Sequence, residues 1–123
     1  MHIWRKTPAA KDYGAAEDYL TLLFDETQAR QLVHRLRSAK PVKRQAKDLL
    51  RASRTRLLEE NNPHVTAELK KIRKKKKLSP VLLVRGDAKR NMPLIIADGD
   101  HRICASWHLD EDAPVACCLV DFD

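Results

Sequence analysis

Apolar positions recur at helical spacing from Ala15 to about Ser38: Ala16, Tyr19, Leu20 and Leu23, then Ala29, Leu32, Val33 and Leu36. Asp25 stands three residues before Gln28, the order of a helix start with reciprocal capping, and predicts two helices meeting near Phe24 and Asp25. Beyond Pro41, the set Val42, Ala46, Leu49, Leu50, Ser53 and Leu57 keeps the helical period, with charges on the other face. A helix of about four turns, ending before Asn61, is the simplest expectation. Asn62 followed by Pro63 is a cap followed by proline at the first helical position. Val65, Leu69 and Ile72 then mark one stripe of a helix that frays in the run Lys74 to Lys77.

The period changes at Ser79-Pro80, because proline pushes the preceding residue out of the helical region. Val81 to Val84 is a short, partly β-branched apolar run and predicts a buried strand. Gly86 to Pro93 holds turn residues, Leu94 to Ala97 predicts a second strand, His101 to Leu109 a helix, and Val115 to Val120 a third strand. The fold class this predicts is α+β, with helices on a small mixed β-sheet.

A length of 123 residues fits a single domain, read as residues 1–60, a basic helical N-terminal extension, and residues 61–123, the core. The formal charge of +7 is uneven: residues 1–77 hold 20 Lys and Arg against 9 Asp and Glu, whereas residues 78–123 hold 4 against 8. With 43% hydrophobic residues the chain has enough apolar material for a core. Three glycines and 5% aromatics argue against a Walker or Rossmann loop and against an aromatic platform for single strands. No apolar run approaches a membrane span, and the first residues lack a secretory signal. Three cysteines, two of them adjacent at Cys117 and Cys118, make a poor disulfide framework. A cytoplasmic location with reduced thiols is expected.

The chemistry concentrates in LIIADGDHRICASWHL, residues 94–109, where a strand enters a glycine turn and then a helix. A helix start offers unpaired N–H groups and the positive end of the dipole, which favour an anion such as phosphate. Arg102 adds a fork of donors, His101 another donor, and Gly99 lets backbone approach the ligand. The same residues also fit a plainer arrangement, in which Asp98 or Asp100 caps the helix and Arg102 pairs with a carboxylate.

The order of strand, hairpin, LIIADGDHRICASWHL, acidic loop and APVACCLV resembles the domain shared by sulfiredoxin and the N-terminal part of ParB chromosome-partitioning proteins. HVTAELKKIRKKKKLSPVLLVRG is similar to the ParB pattern of helix, linker, proline and a strand ending in a basic residue. The resemblance covers about residues 63–120. It implies a nucleotide or phosphate site at Gly99, Asp100, His101 and Arg102, with Arg85 as a further contact. The implied ligand is a nucleoside triphosphate with magnesium, for which Asp98 and Asp100 offer hard oxygen ligands. Asp100 stands where sulfiredoxin carries its catalytic cysteine, so reduction of sulfinic acid is not expected. The helix-turn-helix and dimerisation domains that follow the module in partitioning proteins are not expected either. Metal-dependent nuclease chemistry would require Asp98 and Asp100 to converge.

A different class of function is binding of DNA or RNA, without sequence specificity, by the basic helices. The candidates are Lys40, Lys43, Arg44, Lys47, Arg51, Arg54 and Arg56 in one segment and Lys70 to Lys77, with Lys74, Lys75, Lys76 and Lys77, in another; a solvated, solubilising face is the alternative. The N-terminal helices are also a candidate homodimer surface. A zinc site from His101, Cys104 and His108, spaced i, i+3 and i+7, with Cys117 or Cys118, competes with core packing of the same residues.

Overall fold

The computed structural model describes residues 3–123. In chain order its elements are α1 (Ala10–Leu20), α2 (Glu26–Ser38), β1 (Val42–Gln45), α3 (Ala46–Ser53), α4 (Pro63–Arg73), β2 (Val81–Val84), β3 (Ile95–Asp98), α5 (Asp100–Leu109) and β4 (Pro114–Val120), with one 3-10 turn at Ala88–Arg90. The class is α+β. One sheet has the order β1-β4-β2-β3, with β4 parallel to β2 and the two outer pairs antiparallel.

The central strand β2 is buried along its whole length because helices cover both faces of the sheet. Leu82, Val84, Ala97 and Cys118 pack under α1 and α2 with Ala16, Leu20, Leu32 and Leu36. Val81, Leu83, Val115 and Cys117 pack on the other face against α3, α4 and α5 through Leu49, Val65, Leu69 and Ile103. Alternation along a strand therefore sends Cys117 and Cys118 to opposite layers. All three cysteines are free and buried. No helix among the described residues is long and apolar enough to cross a membrane.

The expected helix boundary near Phe24 and Asp25 is present, with the Asp25 carboxylate accepting from the Gln28 N–H at 2.8 Å. Asn62 likewise caps α4, accepting from His64 and Val65 N–H at 3.0 and 3.3 Å. α1, however, begins at Ala10 rather than Ala15. The four-turn helix expected after Pro41 is instead β1 followed by the eight-residue α3. All four β1 residues are exposed, so no alternation marks the strand; the backbone edge of β4 makes it, by antiparallel pairing from Val42↔Cys117 to Gln45↔Pro114. Residues before position 61 thus supply an edge strand and the helical cover of one sheet face.

The extended N-terminal segment is also held in place. Leu78 N–H donates to Ile3 C=O and Arg5 N–H to Leu78 C=O, both at 2.7 Å, and Trp4 Nε1 donates to Pro114 C=O at 3.1 Å. This pairing lays Arg5 beside the linker between α4 and β2.

Candidate anion site at the turn between β3 and α5

The register of β3 against β2 shifts between Leu82↔Asp98 and Leu83↔Ile96, leaving Ala97 as the extra residue of a bulge one step before the turn. Gly99 follows with φ 114°, a conformation that costs a side-chain-bearing residue strain. A Cβ there would also lie 2.4 Å from Val81 Cγ1, so close packing on β2 requires glycine as well. Gly99 is the N-cap of α5 and no side chain accepts at that cap. The capping role considered for Asp98 or Asp100 is therefore not used. Among the described residues no group accepts from the N–H of Asp100 or His101, while Gly99 C=O takes those of Arg102 and Ile103.

Arg102 adopts the paired arrangement rather than the open one. Its Nη1 donates to Asp12 Oδ2 at 3.1 Å and to Ser79 C=O at 2.7 Å, and its Nη2 to Asp98 Oδ2 at 2.6 Å. With a side chain only 10% exposed, it ties α5, α1, β3 and the start of β2 together. Three of its five N–H donors thus go to two carboxylates and a carbonyl, the paired arrangement that the sequence also allowed, while the residue still lines the cleft at the turn. Burial pushes the Asp98 carboxyl up, with the Arg102 charge pulling the other way. Burial also raises Asp100, whose Oδ1 accepts a 3.9 Å contact from Cys104 Sγ. The two carboxylates considered for magnesium are thus committed to different partners.

Arg85 is corrected. β2 and β3 are antiparallel, so the end of β2 that carries Arg85 lies at the opposite end of the sheet from Gly99. There Arg85 Nε donates to Asp121 Oδ1 at 2.7 Å.

What surrounds the turn instead is a cleft of about 380 Å³, lined by Asp98, Gly99, His101 and Arg102 and by five further cations, Arg5, Lys11, Lys71, Lys76 and Lys77. Against these six cations stand three carboxylates, Asp12, Glu68 and Asp98, an excess of three positive charges. Arg102 and Lys71 are paired, Lys71 Nζ to Glu68 Oε1 at 3.3 Å. Among the described residues Arg5, Lys11, Lys76 and Lys77 make no ion pair or side-chain hydrogen bond. Glu68 Oε2 is buried without a partner. On the other side of the turn lies a larger, mostly apolar cavity of about 730 Å³, and Asp98, Gly99 and His101 line both. The His101 ring packs on that of His64, centroids 4.7 Å apart.

The zinc residues are not brought together. His108 Nε2 lies 2.8 Å from Leu58 C=O, His101 stacks on His64, and no group of three or more His, Cys, Asp or Glu among the described residues is arranged for a metal. Burial raises all three thiols, Cys117 to about 11, which keeps them protonated and inert.

The basic candidates separate into two groups. Lys76 and Lys77 enter the cleft, and Lys74 and Lys75 are exposed just before them. Arg51 pairs with Asp48 at 3.5 Å and Arg54 with Asn91 at 2.8 Å, near the other end of the sheet; Lys47 pairs with Asp112 just before β4, and Lys43 and Arg44 lie exposed on β1.

The sequence reading missed Arg5, Lys11 and Asp12. A signal for Asp12 exists: it stands four and eight residues before Ala16 and Leu20, which places an acid on the apolar stripe of α1 and calls for a buried partner. Arg5 has no such signal, since its place follows from pairing with Leu78, 73 positions on. Neither a family model, nor a curated protein, nor a solved structure matches the chain.

Proposed function

We propose that the protein binds a phosphate-bearing ligand, of which a nucleotide is the first to test, in the cleft at the turn between β3 and α5. The observation that carries this reading is the convergence of four unpaired cations, Arg5, Lys11, Lys76 and Lys77, on an uncapped helix start. Free N–H groups and the helix dipole favour an anion at that start, and the cations come from three separate segments of the chain. The resemblance to the ParB and sulfiredoxin domain agrees in placing the ligand at Gly99 and His101. It differs over Arg102, which serves here as a brace holding the turn in shape.

A second reading, binding of nucleic acid without sequence specificity, is favoured by the run Lys74 to Lys77, which is exposed throughout and whose last two residues line the cleft. The test is calorimetric titration with inorganic phosphate, ATP, CTP and GTP, with and without magnesium, alongside a duplex and a single-stranded oligonucleotide over a range of salt. Saturable binding of phosphate or a mononucleotide, weakened by Lys11→Ala, supports the first reading. Binding of oligonucleotide alone supports the second, and no binding at low salt defeats both.

A further inference from the structure

We infer that the ligand of this site is bipartite: a phosphate head in the cationic cleft joined to an apolar body in the adjoining cavity. The inference rests on the phosphate reading above and names the chemistry of the remainder of the molecule. The cleft and the cavity share Asp98, Gly99 and His101, so the two adjoin at the turn where an anion would sit. At about 730 Å³, the cavity has the size of a small-molecule site.

Its lining argues for an apolar occupant. Tyr19, near the end of α1, and Leu23, in the turn after it, are 44% and 51% exposed, although both sit on the cavity wall with Phe24, Leu94 and Ile96. Large apolar side chains left open to water around a concavity mark a surface that a ligand covers. Besides the Tyr19 hydroxyl, the polar side chains on this wall are Ser53, Thr55, Asp98, Asp100 and His101; Ser53 Oγ already donates to Leu50 C=O at 3.2 Å and accepts from Thr55 N–H at 3.3 Å, and Asp98 is held by Arg102. The charge complementarity is one-sided: cations at one end, apolar wall at the other. A phosphate monoester of an alkyl or aryl alcohol matches both ends.

The experiment compares methyl phosphate, n-hexyl phosphate and n-hexanol by calorimetry on the full chain. Methyl and hexyl phosphate carry the same head and differ only in the body. Hexyl phosphate is expected to bind at least about tenfold more tightly than methyl phosphate, the increment of burying several methylenes. The exposed position of Leu23 makes Leu23→Ser tolerable to the fold, and this variant should remove most of the advantage while leaving methyl phosphate affinity unchanged. Leu22, 79% exposed and outside the cavity wall, is the control, and Leu22→Ser should change neither. Equal affinity for the two phosphates overturns the inference while the phosphate reading stands. Hexanol binding as tightly as hexyl phosphate overturns it too, because head and body would then not share one site. If neither inorganic nor methyl phosphate binds, the phosphate reading has failed and the inference fails with it.

Discussion

The two ends of the sheet are both rich in Lys and Arg, yet they are built differently. At the end that carries Arg85, three cations have carboxylate partners, Arg85 with Asp121, Arg90 with Asp87 and Arg51 with Asp48, while Lys89 and Arg44 beside them have no ion pair among the described residues. At the Gly99 end, the one buried cation, Arg102, holds two carboxylates and a carbonyl, and four others ring a concavity without a partner among the described residues. Paired charges on an open surface add solubility and contribute little stability or affinity. Unpaired charges gathered around a cleft repel one another in the empty protein, and an anion relieves that repulsion. The difference teaches that arrangement, not the number of basic residues, singles out the proposed site.

The largest effect that separates the two ends is on stability. Arg102→Ala strands Asp12, Asp98 and the Ser79 carbonyl without their donor, and breaking a buried ion pair costs about 3–5 kcal/mol. Arg85→Ala removes an exposed pair worth about 0–1 kcal/mol. Urea denaturation of both variants measures the contrast, and equal losses would break it. Gly99→Ala comes next, at about 3 kcal/mol, from the strain of its positive φ and the clash with Val81.

This brace was only half legible in the sequence. The turn residues were visible because a strand, a glycine and a helix follow one another within a few positions, and local order of that kind is written locally. The helix starts at Asp25 and Asn62 were legible for the same reason, each depending on a side chain two or three residues from its acceptor site. The pairing of Arg102 with Asp98, four positions back, was one of two arrangements the local sequence allowed, whereas its second carboxylate partner, Asp12, lies 90 positions away and leaves no local mark. β1 was hidden too: its helical period was accidental and its pairing with β4 spans the chain. Arg85 was misplaced because the direction of β2 relative to β3 decides which strand end faces the turn. What the chain brings together over long distances leaves no local pattern.

Ligand affinity sharpens the comparison at intermediate scale. Removing one cleft cation, as in Lys76→Ala or Lys77→Ala, is expected to weaken phosphate binding about fivefold, the effect of roughly 1 kcal/mol of Coulomb attraction in a wet site. Arg51→Ala, at the other end, should leave affinity unchanged. Raising salt should erase much of the difference. A phosphate affinity that falls equally for both kinds of variant would show that the protein attracts anions through its net charge alone.

The smallest effect concerns Asp100, beside the uncapped helix start. Burial lifts its carboxyl above the ordinary range, so the folded chain holds a proton that the unfolded chain has already released. As pH rises through that window, folding must give up the proton, and the contribution of Asp100 to stability falls and then stays lower. Asp100→Asn keeps the shape of the neutral form and cannot ionise. Its stability relative to wild type should therefore rise as pH climbs from the ordinary carboxylate range through the raised one and then level off, as followed by urea denaturation at a series of pH values. The opposite trend, with wild type gaining on the variant as pH rises, would mean that the free N–H groups and dipole of α5 stabilise the charged carboxylate more than burial disfavours it. In that case Asp100 itself supplies the negative charge the helix start attracts, and an incoming phosphate would have to displace it.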